Sequence, residues 1–325
     1  MLNKLMLKDI NRGKKIIPSL LWGSILLLFA FELIPDESSH LNGYTDIVRF
    51  RDKYIAIGAD GRIANISIHG ESVTIDHSSQ SRLNCAFSND NIFIAVGDHG
   101  SIVYSVDGKV FNQAKSGTDK NISGITSRNG LIVAGAEYGT ILTSRDGNAW
   151  NLAETKAKGN ILSLSSNNSF FIGVTDAGEI IKSINGLKWE IKDYNKEYAG
   201  YNPYSKFKKI LAVDNNIIII GTHEDGSPSI LSSSLGNVWA ERLPVYFDEE
   251  NRIQYLTNTP TDIAYDHDQE QYILACETGE LFTLPGCSKC NKLIKISESD
   301  LNAIIYDNSF LLIGDAEYSV FIRRL

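Results

Sequence analysis

LIVAGAEYGTILTSRDGNAW, residues 131–150, is the stretch whose reading decides the fold. An apolar run closes on Gly135 and a short polar turn ends at Gly139. A second apolar run leads into Ser144-Arg145-Asp146-Gly147, and Trp150 follows three residues later. The same unit recurs as FIAVGDHGSIVYSVDGKVF (93–111) and FFIGVTDAGEIIKSINGLKW (170–189), with weaker copies starting at Tyr54, Ile217, Tyr272 and Phe310. The residue closing the first run is in turn Gly58, Gly97, Gly135, Gly173, Gly221, Cys276 and Gly314. A period of about 40 residues is that of a four-stranded propeller blade, so the seven copies predict seven blades.

Within a copy the apolar runs are short, rich in Ile, Val, Leu and Phe, and bounded by Gly, Asn, Asp and Ser, which are strand and turn signals. The third copy reads as strands over 122–127, 131–135, 140–144 and 150–154. Asp107-Gly108, Asp146-Gly147 and Asn185-Gly186 predict tight two-residue hairpins, because glycine takes positive φ without Cβ strain. The expected class is all-β: a seven-bladed propeller of four-stranded antiparallel blades over residues 36–325, preceded by an apolar helix within residues 1–35.

Ser-x-Asp-Gly-x-x-Trp resembles the Asp-box (BNR) repeat of bacterial propellers, a group that includes sialidases and is similar to photosystem II assembly-factor propellers. Ser105 and Asp107, Ser144, Asp146 and Trp150, Asn185 and Trp189, and Trp239 carry the resemblance. The fifth copy has Leu235 at the Asp place. The resemblance implies that these residues staple the third strand to the fourth, away from the binding face.

The chain carries a formal net charge of −8. Residues 1–15 are basic (Lys4, Lys8, Arg12, Lys14, Lys15), so the propeller is more acidic than the whole. An acidic body repels phosphate at long range, which argues against nucleic acid as a partner. Ile16–Phe31, IIPSLLWGSILLLFAF, is the single strongly apolar segment. With its basic flank it reads as a signal anchor over residues 16–34 or as a cleaved signal peptide, with the propeller exported to the periplasm or cell surface. The last copy stops at its third strand. Because ring closure removes sheet edges, residues near 38–44 are expected to supply the missing strand.

The register slips in the second half. Residues 190–206 and 240–261 are insertions between copies, and 222–229 is a longer hairpin within the fifth. In a propeller all three connections emerge on one face. They carry Tyr194, Tyr198, Tyr201, Tyr204, His223, Tyr246 and Tyr255, and tyrosine suits protein and sugar surfaces. These are the candidate binding residues.

Cys287 and Cys290, in CSKC, are expected to form a local disulfide in an exported chain, since no second pair completes a zinc site. Cys85 and Cys276 read as small core residues. Asp266-His267-Asp268-Gln269-Glu270 lacks the glycine and length of an EF-hand and reads as a hairpin turn. No catalytic constellation stands out, and no metal or cofactor is expected. The function read from the sequence is a non-enzymatic scaffold that holds a protein partner at a membrane. The alternative is a glycan-binding or sialidase-like propeller, which would need an arginine triad for a substrate carboxylate.

Overall fold

The computed structural model describes residues 29–31, 43–67, 72–75, 81–198, 205–248, 250–285, 292–307, 310–317 and 319–324. Seven four-stranded sheets follow one another, six of them antiparallel meanders in simple sequence order. In each blade, strand A is innermost and strand D outermost. The A strands are Tyr44–Phe50, Leu83–Ser88, Ile122–Arg128, Ile161–Ser166, Ser205–Val213, Pro260–Asp266 and Leu301–Asp307. Blade three, with Leu131–Ala136, Thr140–Ser144 and Asn151–Glu154 as its other strands, matches the sequence reading to within a residue at each end.

Among the described residues the core is divided. Seven apolar clusters each fill the seam between two neighbouring blades. Ile172, Ile217 and Trp239 lie between blades four and five, and Tyr44, Ala56 and Leu312 between seven and one. Strand B is covered on both faces, which explains continuously apolar runs such as Ile217–Ile220. Close approach also explains the glycine that ends strand B. Gly97 is extended, not left-handed, and an added Cβ would sit 1.9 Å from the Arg82 carbonyl oxygen.

Ring closure differs from expectation. The fourth strand of blade seven is Phe29–Phe31, antiparallel to Val320–Arg324, and not the stretch near 38–44. Tyr44 is committed to the first strand of blade one, where it pairs with Gly58. Three residues of the predicted apolar helix therefore form a strand; the rest of that helix lies outside the described residues. Among the described residues, no helix is long and apolar enough to cross a membrane.

The C–D turns also differ from the predicted two-residue hairpins. Strand C of blade three ends at Ser144 and strand D begins at Asn151. The Asp146 carboxylate closes the longer loop by accepting from the N–H groups of Asn148 and Ala149 at 2.9 and 2.8 Å, while the Gly147 N–H donates to the Ser144 hydroxyl. Ser105 with Asp107, and Ser183 with Asn185, repeat this geometry. Trp150 and Trp189 return an indole N–H to the carbonyls of Gly147 and Gly186. Because the Asp107 oxygen faces the Val110 and Lys109 N–H groups, its carboxyl is held down at about 2.

Candidate functional site

Each A strand begins with the same irregularity. The pairing of strands A and B skips one residue near the start of every A strand. The skipped residues are Thr45, Asn84, Ser123, Leu162, Lys208, Thr261 and Asn302. A bulge leaves its extra residue outside the ladder and re-aims its side chain. All seven line one cavity of about 460 Å³ at the centre of the ring. The D–A and B–C connections lie at this end of the strands, so the cavity opens on the face that carries the insertions.

Several bulge side chains fasten one blade to the next. The Thr45 hydroxyl donates to the Leu83 carbonyl at 2.6 Å, the Asn84 amide to the Ile122 carbonyl at 3.1 Å, and the Thr261 hydroxyl to the Leu301 carbonyl. Ser123, Leu162 and Lys208, from blades three to five, make no such bond among the described residues.

The residue after the bulge forms a second tier. Asp46 accepts from its neighbour Ile47 N–H and from Ala86 N–H of the next blade, both at 2.9 Å. Asp262 likewise accepts from the Ile263 N–H at 2.8 Å and from the Ile304 N–H of the next blade at 3.0 Å. Lys209 holds this tier in blade five, and its ammonium sits 2.7 Å from Asp262. Burial alone would lower the Lys209 pKa, but the carboxylates of Asp262 and Asp46 outweigh it and hold the ammonium protonated. Cys85, expected in the core, packs against the apolar cluster between blades two and three and also lines the cavity. Burial, and then the Asp46 charge, push its thiol up, so it is a poor nucleophile. At the mouth, Arg82 donates from Nε to Asn84 at 3.0 Å. The exposed Lys208 ammonium has no carboxylate partner among the described residues.

The insertions have more structure than their sequence suggested. In residues 190–206, strand D of blade four (Glu190–Asp193) runs into one helical turn, Tyr194–Glu197, whose Lys196 N–H is capped by Asp193. Tyr194 is 1% exposed and stacks on Tyr198 at 4.6 Å. The Tyr198 hydroxyl accepts from the Trp239 N–H at 3.1 Å. These two tyrosines pack the blade four–five seam. The 222–229 segment lengthens the strands rather than the loop: Asn216–His223 pairs with Pro228–Ser234 out to Thr222 opposite Pro228. His223 is buried there, 2.6 Å from Glu241. Residues 240–261 contain an extra hairpin, Val245–Phe247 with Ile253–Tyr255, turned around Asp248. Tyr246 anchors it edge-on against Phe282 of blade six. Phe247, Ile253 and Tyr255 point outward, at 41%, 60% and 62% exposure. Tyr201, Tyr204, Cys287 and Cys290 lie outside the described residues.

The DHDQE stretch is a tight A–B turn in which Asp266 accepts from the Asp268 and Gln269 N–H groups. Among the described residues, no group of three or more His, Cys, Asp or Glu side chains is placed to hold a metal ion.

These features define a seven-bladed β-propeller with a bulge-lined central cavity and, in the connection between blades five and six, a hairpin that packs on blade six and exposes apolar side chains. No protein-family model and no curated protein matches the chain. Solved structures are similar in fold. A virginiamycin B lyase from Staphylococcus aureus with quinupristin superposes with a TM-score of 0.75 at 12% identity, over 93% of this chain and 100% of that one. YCF48 bound to D1 peptide gives 0.66 at 15% identity, over 92% and 94% of the two chains. The WD40 propeller domain of Doa1 gives 0.67 at 12% identity, over 92% and 97%. At such identities the likeness is one of fold.

Proposed function

We propose that the protein is a non-enzymatic interaction scaffold: an exported, membrane-anchored propeller that holds a partner protein on the face carrying the D–A and B–C connections. The observation that carries this reading is the inserted hairpin. Tyr246 anchors it to blade six, while Phe247, Ile253 and Tyr255 remain exposed at 41%, 60% and 62%. Rigid, exposed aromatic and aliphatic groups are what a protein interface uses as anchors. The reading is supported by YCF48, which is similar in fold and was solved bound to D1 peptide.

A pull-down from native membranes tests the reading. The full chain should retain a specific protein, and Ile253→Ser with Tyr255→Ser should abolish that retention. Ile184→Ser with Val238→Ser, on the opposite face, should leave it intact. Equal retention by both double variants would overturn the assignment of the face.

One observation favours a second reading. Arg82 and Lys208 face a polar cavity, a setting that suits an acidic sugar. The described lining has a single arginine and neither tyrosine nor glutamate, so this reading extends to glycan binding and not to sialidase-type hydrolysis. A glycan array distinguishes it from protein binding.

A further inference from the structure

The central well is polarised. On the arc of blades two to five its lining donates hydrogen bonds. Arg82, at the start of blade two, donates to Asn84 from Nε, and its terminal N–H groups have no acceptor among the described residues. Ser163 of blade four takes the Ile210 N–H on its oxygen at 3.3 Å, and its hydroxyl proton has no acceptor among the described residues. In blade five Lys208 is exposed. Beside it, the Lys209 ammonium is 27% exposed and has three donors, which Asp262 alone does not exhaust. Among the described residues, no Asp or Glu lines this arc.

On the arc of blades six, seven and one the lining accepts. The Thr261 hydroxyl gives its proton to the carbonyls of Ala275 and Leu301, and Thr45 gives its own to those of Leu83 and Ile57. Each hydroxyl has only lone pairs left to offer. Asp300, at the start of blade seven, takes the Thr278 N–H on one oxygen at 2.8 Å and keeps the other. The buried carboxylates of Asp46 and Asp262 belong to blades one and six, on the same side.

The lining and second tier together hold three cations, Arg82, Lys208 and Lys209, and three carboxylates, Asp46, Asp262 and Asp300. The well is therefore neutral as a whole and dipolar across its width. A net anion gains from one arc and is opposed by the other, whereas a molecule carrying both charges gains from both. Cys85, Leu162 and Ala316 are the apolar members of the lining. A volume of about 460 Å³ lies in the range of small-molecule sites.

We propose that the central well binds a small zwitterion, an α-amino acid with an apolar side chain, its carboxylate on the arc of blades two to five and its ammonium toward Asp300. The proposal rests on the reading of this cavity as a ligand site, and it replaces the acidic sugar by a ligand that uses both arcs.

Isothermal titration calorimetry on the full chain tests it with four probes: L-leucine, leucinamide, which lacks the carboxylate, 4-methylpentanoate, which lacks the ammonium, and galacturonate. Leucine should bind about tenfold tighter than either of its analogues, because each loses a hydrogen bond between charged groups. Lys208→Gln should shrink the advantage of leucine over leucinamide, and Asp300→Asn its advantage over 4-methylpentanoate. Both positions are exposed, and asparagine keeps an oxygen for the Thr278 N–H, so an unchanged melt is expected of each variant. Equal affinity for leucine and 4-methylpentanoate overturns the proposal. So does tighter binding of galacturonate, which leaves the acidic-sugar reading standing. No heat from any of the four probes removes the ligand site and the proposal with it.

Discussion

Replacing Asp262 by alanine should be among the most damaging single changes in this protein. The Asp262 side chain is 2% exposed and serves three donors at once: its neighbour Ile263, the next blade through Ile304, and the Lys209 ammonium. Each buried N–H left without an acceptor costs about 1–3 kcal/mol, and breaking one side of a buried ion pair costs about 3–5 kcal/mol. These costs overlap, and Lys209 is 27% exposed, so water in the cavity recovers part of them. A net loss of about 3 kcal/mol is expected. For a domain of this size that corresponds to a fall in Tm of roughly 5 °C. A thermal melt of the parent and Asp262→Ala chains measures it. The double variant Asp262→Ala/Lys209→Met should melt above Asp262→Ala, since the unpaired ammonium is gone. A single variant within about 0.5 kcal/mol of the parent, the range of ordinary surface changes, would refute the reasoning. So would a double variant no more stable than the single.

Removing residues 1–31 should expose the edge formed by Val320–Arg324; the truncated chain is expected to melt lower and to aggregate on heating, and light scattering during a melt would show it. Asp107 has its carboxyl lowered from 3.8 to about 2 in the fold by the Val110 and Lys109 N–H groups, so its contribution is complete above the unfolded value and fades as pH falls through the folded one. The melting temperature of Asp107→Ala should therefore lie below that of the parent at neutral pH and converge on it toward pH of about 2; a gap that persists unchanged in acid would contradict this.

The blades were legible because they repeat the same compromise: strand B buried on both faces, a glycine where backbone meets backbone in all but the sixth, and a Ser-Asp or Ser-Asn turn in blades two to four. Those demands are local and leave marks at fixed spacing. The cavity ring escaped notice although it also leaves a mark. In each A strand the first two core-facing residues are three apart, as in Tyr44 to Ile47, Leu83 to Ala86 and Ile161 to Leu164. A regular strand repeats every second residue, so this broken phase is the signature of the bulge. The closing strand was misplaced because three residues of an apolar leader carry no label for the sheet they join; only the unpaired edge at Val320–Arg324 selects them. The aromatic content of the insertions was visible, but its division was not. Tyr194 and Tyr198 follow a strand end that folds back onto the blade seam, whereas Tyr255 sits on the exposed side of a hairpin. Which tyrosine of such a cluster turns inward depends on the shape of the neighbouring blade, a property of the assembled ring.

Because the seven bulge residues stand outside the hydrogen-bond ladders, their identities are weakly tied to the stability of the sheets that carry them. Where Thr45, Asn84 and Thr261 still lace adjacent blades, exchange would loosen a seam. The arc of Ser123, Leu162 and Lys208 has no such duty among the described residues. It offers three adjacent positions at the lip of the central well where charge, size and polarity can be rewritten while the scaffold stays the same, and it lies on the side where the chain has also added its extra segments.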